Sequence, residues 1–161
     1  MKKCFHLLVR LILLLHVAQQ VSACDEASML ETTQLFFDAC EAGKGWNATR
    51  AYVVSGASPF YAEVMDALPG PPLTEVKNIS GYTMWMVGVV HDLGPKATAK
   101  VIAKGADAET QKTLIYAVFA GYSDYVYIFG FEPTSCKIDS MRKVWNDGYA
   151  AAHMPHKTNF M

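Results

Sequence analysis

The chain has no Cys-x-x-Cys motif and no paired cysteines and histidines, which argues against a structural zinc site. Basic residues are scattered rather than clustered, so the electrostatic footprint of a nucleic-acid binder is missing. Blocks of like charge, low-complexity tracts and internal repeats are absent as well. The N-terminal apolar stretch, Leu7 to Val17, is interrupted by Arg10 and His16. It falls well short of the ~20 apolar residues that span a bilayer, so no permanent transmembrane helix is expected there. Histidine is scarce: past residue 23 only His91, His153 and His156 occur.

What the N-terminus does carry is the pattern of an export signal. Lys2 and Lys3 form the positive region, the apolar stretch follows, and Val21-Ser22-Ala23 supplies small residues for a signal peptidase. Residues 1–23 are therefore expected to be a signal peptide, and the protein to be secreted or periplasmic. Val21-Ser-Ala-Cys24 also fits the box before a lipid-modified cysteine, so the alternative is a lipid anchor through Cys24 and a membrane location on that account alone. Cleavage after Ala23 removes Lys2, Lys3 and Arg10 but no acidic residue, leaving a mature chain more acidic than the whole, whose formal charge is −1. Residues 24–152 are enough for one domain with one core, and 153–161 read as a polar tail.

Cys24, Cys40 and Cys136 remain in that mature part. An odd count in an exported chain means that at least one is free, lipidated or paired between chains. Cys40 with Cys136 is one candidate bridge. Asn47-Ala-Thr49 and Asn78-Ile-Ser80 fit the glycosylation sequon.

The first half reads as helices and the second as a sheet. Ser28-Met-Leu-Glu31 makes a capping box, apolar residues then recur at helical spacing to Cys40, and Gly43 and Gly45 end the element. A short helix is expected over Trp46–Val53, and a turn from Gly56 into a short strand or edge segment around Phe60. Pro69-Gly-Pro-Pro72 denies both helix and ladder bonds. A third helix is capped by Ser80, with Tyr82, Trp85, Met86, Val89 and Val90 on one stripe, and Gly94-Pro95 stops it. Four strands follow: Ala97–Lys104, Thr113–Ala120, Tyr125–Phe131 and Lys137–Trp145, separated by turn residues. This is an α+β domain, helices packed on one face of an antiparallel sheet. Tyr125, Tyr127, Phe129 and Phe131 share one strand face; that stripe lines either an aromatic interior or an apolar dimer interface.

Several stretches together resemble the SnoaL-like branch of the nuclear transport factor 2 (NTF2-like) superfamily: Phe36-Phe-Asp-Ala-Cys-Glu-Ala-Gly-Lys-Gly-Trp46, Tyr82-Thr-Met-Trp-Met86, Ala106-Asp107, Tyr116-Ala-Val-Phe119, Tyr125-Val-Tyr127 and Lys143-Val-Trp-Asn-Asp-Gly148. The resemblance spans roughly residues 28–150. It implies a cone of helices on a strongly curved sheet around an apolar pocket for a small hydrophobic molecule, often dimeric through the sheet. The superfamily includes polyketide cyclases, ketosteroid isomerases and binding modules, so fold does not settle function. Its enzymes work without a metal or organic cofactor, and none is expected here. In isomerase relatives the base follows the first strand's apolar residue. With Phe60 in that role the position falls at Ala62, with Glu63 beside it. On the final strand, Asp139-Ser-Met-Arg-Lys143 places Met141 or Lys143 where cyclases have His and Asp.

Glu63 is the candidate general base, since desolvation in an apolar cone would raise its pKa; the alternative is a solvated acid on an edge. Asp66 shares a face with Glu63 if that segment is helical. His91 is a candidate catalytic or ligand residue, the alternative being that it only complements its helix C-terminus. Asp107 is either catalytic or a turn residue, and Asp147 has the same two readings. Tyr52, Trp85, Tyr116 and Tyr127 are the expected ligand-lining aromatics, each with core packing as its alternative. Two functions stay open: a module binding a small hydrophobic ligand, or a lyase, isomerase or cyclase moving a proton on a hydrophobic carbonyl compound. A buried carboxylate or histidine beside a tyrosine would separate them in favour of the second.

Overall fold

A computed structural model describes residues 24–62, 76–119 and 123–145. The signal region, Glu63, Asp66, the Pro69–Pro72 loop, Asp147 and the tail all lie outside these residues.

Helix α1 spans Glu26–Glu41. Its N-cap is Asp25, whose side chain accepts from the Ser28 amide at 2.8 Å, so the cap falls three residues before the expected Ser28. An aspartate in extended backbone offers the orphan amides a stronger acceptor than serine does. Met29, Thr33, Phe36, Phe37 and Cys40 are buried along one face. The helix ends in a Schellman motif: the Lys44 amide donates to the Ala39 carbonyl and that of Gly43 to Cys40. Gly43 sits at φ +65°, and an added Cβ would come within 2.8 Å of the Val90 Cβ, so only glycine fits. This stop makes Glu41 the last helical residue.

The short helix α2 spans Gly45–Thr49, followed by a 3₁₀ turn over Arg50–Tyr52. Helix α3 covers Ile79–Leu93 and buries Tyr82, Trp85, Met86 and Val89 at the expected spacing. Its cap is Asn78, accepting from the Gly81 amide at 2.8 Å, rather than Ser80. Gly94 at φ +54° ends it.

The strands are β1 (Phe60–Ala62), β2 (Ala99–Asp107), β3 (Lys112–Phe119), β4 (Ser123–Glu132) and β5 (Lys137–Trp145). They form one sheet of order β1-β5-β4-β3-β2. All neighbours are antiparallel except β1, which pairs parallel with β5, so the sheet is mixed rather than purely antiparallel. Strand β2 runs through Gly105 to Asp107, past the expected end at Lys104, because its partner β3 starts only at Lys112. Register shifts at Val101/Ala103 and Gly130/Phe131 mark the β-bulge positions that bend a sheet.

The helices cover one face. Ile115, Ala117 and Phe119 of β3, Tyr125, Tyr127, Phe129 and Phe131 of β4, and Met141 and Lys143 of β5 all point into it and are buried. The aromatic stripe of β4 is therefore interior. Cys136 is bonded to Cys24, not to Cys40, with Cα atoms 4.7 Å apart; Cys40 is free and buried. The bridge ties the start of α1 to the β4–β5 turn.

Candidate functional site

Two charged side chains stand out in this apolar interior. Glu41 is the last residue of α1 and Lys143 lies near the end of β5, and they are 5% and 3% exposed. Both are in register with apolar neighbours. Glu41 continues the helical row Thr33–Phe37–Glu41, and Lys143 continues the inward row that includes Met141. Cross-strand pairing puts Lys143 directly opposite Tyr127.

A hydroxyl network joins them. The Tyr82 and Tyr127 hydroxyls donate to Glu41 Oε1 at 3.1 and 3.0 Å. The Lys143 ammonium donates to the Tyr82 hydroxyl at 3.2 Å. Tyr82 is thus a single-atom relay, accepting from Lys143 and donating to Glu41. No direct ion pair within 4.0 Å joins the two charges among the described residues. Lys143 Nζ instead lies inside an aromatic cage, 3.8 Å from the Tyr125 ring centroid and 5.1, 5.3 and 5.7 Å from those of Tyr127, Tyr82 and Trp85. Ring faces attract the cation but accept no strong hydrogen bond. Glu41 Oε2 is buried with no hydrogen-bond partner among the described residues.

Both charges are held where water would normally solvate them, and their proton affinities respond. Burial raises the Glu41 pKa, against the opposing pull of Lys143 and the two tyrosine hydroxyls. Its place in the last helical turn, facing the negative end of the helix dipole, acts in the same direction as burial. Burial lowers Lys143 to about 8, against the attraction of Glu41 and Cys40. Burial also pushes the Tyr82 and Tyr127 phenols up, so both remain donors at neutral pH. The two shifts have one cause: burial makes the charged form of each group less favourable than it is in water.

This makes stability depend on pH with a definite sign. Lys143 binds protons less well folded than unfolded, so between pH 8 and 10.5 the unfolded chain holds more protons and stability rises with pH. Glu41 binds protons better folded, so stability falls as pH rises from 4.5 through its raised value. Relative to a Glu41→Gln/Lys143→Met variant, which lacks both titrations, the natural protein should gain about 3 kcal/mol between pH 8 and 10.5. Urea midpoints of the two proteins across that range check this.

Of the residues singled out from sequence, Tyr127 and Trp85 belong to this cluster. Tyr52 is half-buried and packs against the core. Tyr116 is on the opposite sheet face, donating to Asp124 at 3.0 Å. His91 is exposed at the end of α3, 3.1 Å from Asp92. Asp107 is exposed and accepts from the Glu109 and Thr110 amides and the Thr110 hydroxyl, which lower its pKa. Glu63 lies outside the described residues. Sequence reasoning did not single out Glu41, Tyr82 or Tyr125 as site residues, and met Lys143 only as a departure from a family pattern. The usable signal was a charge in phase with an apolar row.

Trp85 is one ring of the cage. It also lines an open hollow of about 570 Å³ on α3, together with Val76, Lys77, Gly81, Met84 and Gly88.

No protein-family model matches the chain, and no curated protein matches it. Solved structures do match its fold. A protein with a cystatin-like fold from Methylobium petroleophilum PM1 superposes with a TM-score of 0.62 at 16% identity, covering 77% of this chain and 79% of that one. A SnoaL-like protein from Burkholderia thailandensis E264 does so with a TM-score of 0.52 at 12% identity, covering 76% and 97%. At these identities the likeness is one of fold: the chain shares the α+β architecture of these cystatin-like and SnoaL-like structures.

Proposed function

We propose that this domain takes a small, mostly apolar carbonyl compound into its aromatic interior and moves a proton on it, with Glu41 as the base. The observation that carries the reading is the buried carboxyl of Glu41. One oxygen is held by two tyrosine hydroxyls while the other, Oε2, has no partner among the described residues. That oxygen presents its lone pairs to whatever lies beside it. Lys143, one hydroxyl away, has N–H groups beyond the one it gives Tyr82, and these suit a carbonyl oxygen on which negative charge develops.

The deuterium exchange of α-protons in cyclohexanone, followed by NMR in D₂O, tests this. Glu41→Gln should lower the protein-dependent exchange rate by about 10²–10⁴-fold. Equal rates for the two proteins would remove Glu41 from the reaction. Ligand binding without exchange would favour the second reading, a module that only binds a small hydrophobic molecule, which the aromatic cage also supports.

Export belongs to the same proposal. What supports it is the Cys24–Cys136 bridge, since disulfides persist in oxidising compartments. A sulfur in that bridge carries no lipid, so secretion is the version we adopt over anchoring through Cys24. The outer sheet face leaves Leu114 and Ile102 about half exposed, which supports a homodimer through that face.

A further inference from the structure

Lys143 has more to offer than a charge. The geometry points to Lys143 as a covalent site: its amine forms an imine with the carbonyl carbon of a small apolar aldehyde or ketone, with Glu41 and Tyr82 carrying the protons. This rests on the proposed carbonyl-binding role of the same cluster and names how the substrate is held.

The surroundings of the Lys143 nitrogen suit this chemistry. The titratable groups facing it are Glu41 and Cys40 from α1, Tyr82 from α3, and Tyr125 and Tyr127 from β4; on β1 its ladder partner is Ala62. Among the described residues no carboxylate pins the ammonium within 4.0 Å, and its sole hydrogen bond goes to a phenol that is itself a relay to Glu41. A salt bridge serving only to neutralise a buried lysine would place the two ions in contact. Here the ammonium faces aromatic rings and a phenol instead, which eases the loss of its proton without a carboxylate to hold it. At pH 7 the free-amine fraction of Lys143 exceeds that of a lysine at the ordinary 10.5 by roughly two orders of magnitude. The ring faces around the nitrogen suit an apolar carbonyl compound, and one of these rings, that of Trp85, also lines the hollow on α3.

The chemistry balances without any further reagent. The amine lone pair of Lys143 forms the C–N bond while the carbonyl π electrons move to oxygen, which takes the Glu41 proton. The nitrogen then loses a proton through Tyr82 to Glu41. Glu41 returns it to the hydroxyl, which leaves as water as the C=N bond forms. Amine and carbonyl have become imine and water, with no change in oxidation state. In a substrate with an α-hydrogen, the protonated imine is the electron sink from which Glu41 removes the α-proton.

The test uses benzaldehyde with sodium cyanoborohydride at pH 7, followed by peptide mapping of the wild-type protein. Reduction of an imine leaves a benzyl group on the modified lysine. The expected result is labelling of Lys143 about tenfold or more above each solvent-exposed lysine, such as Lys77 and Lys104. Lys143→Met should lose that label and keep the others. In parallel, binding of benzyl alcohol, which forms no imine, is followed by saturation-transfer NMR. Benzyl alcohol bound with Lys143 unlabelled overturns the covalent step and leaves the binding role standing. Neither binding nor labelling overturns both.

Discussion

Replacing Glu41 with glutamine and Lys143 with methionine together should make the domain more stable than the natural protein, by about 1–4 kcal/mol at pH 7. The direction follows from burial. Each ion gives up its hydration in an interior of Phe37, Tyr82, Trp85, Tyr125 and Tyr127, and the two do not touch. A pair of this kind recovers less from mutual attraction than it loses in desolvation. Methionine fills the cage with polarizable apolar surface, and glutamine keeps the acceptor for both tyrosines. The single variants should go the other way. Glu41→Gln alone leaves a lysine buried without its opposing charge, and Lys143→Met alone leaves a carboxyl whose pKa rises further. Chemical denaturation of all four proteins closes the cycle. A double variant less stable than either single one would make the cluster a structural device.

Loss of the disulfide should have the largest effect in the opposite direction. Cys24 and Cys136 are 112 residues apart, and closing a loop of that length in the unfolded chain is worth about 4–5 kcal/mol by chain entropy. Cys24→Ala/Cys136→Ala should therefore lower Tm by roughly 10–20 °C. The bridge also holds the start of α1 against the β3–β4–β5 end of the sheet, where Gln111 donates to the Cys24 carbonyl at 3.3 Å. A variant melting with the wild type, or a wild type indifferent to reducing agent, would show that the bridge carries no stability.

Much of the fold was legible in the sequence because its signals are local. The 3.6-residue spacing of Tyr82, Trp85, Met86 and Val89 and the alternation in β4 each need only a few neighbouring residues. The errors were equally local. Ser28 and Ser80 are respectable caps, yet Asp25 and Asn78 lie three and two residues earlier and set the helix starts. The parallel pairing of β1 with β5 joins Phe60 to Met141, a contact that no periodicity announces.

The site was legible only in fragments. Tyr127 and Trp85 read as interior aromatics, but Glu41 sits in Cys-Glu-Ala-Gly-Lys-Gly, where an acid before a glycine stop looks solvated. Its burial comes from its place in the helical row Thr33–Phe37–Glu41, which faces inward, and from Tyr82 and Tyr127, 41 and 86 residues away. Lys143 looked like a misfit at a family's catalytic position. That misfit is the pair's other half, and both charges lie in phase with buried rows on their own elements.

The most direct test of the account is the titration of Lys143 itself, read by NMR from the ε-methylene of the wild-type protein and assigned by its absence in Lys143→Met. Glu41 and Lys143 acting as one proton-sharing unit predict a midpoint near 8 that falls further in Glu41→Gln. An ordinary lysine midpoint, unmoved by Glu41→Gln, would contradict it.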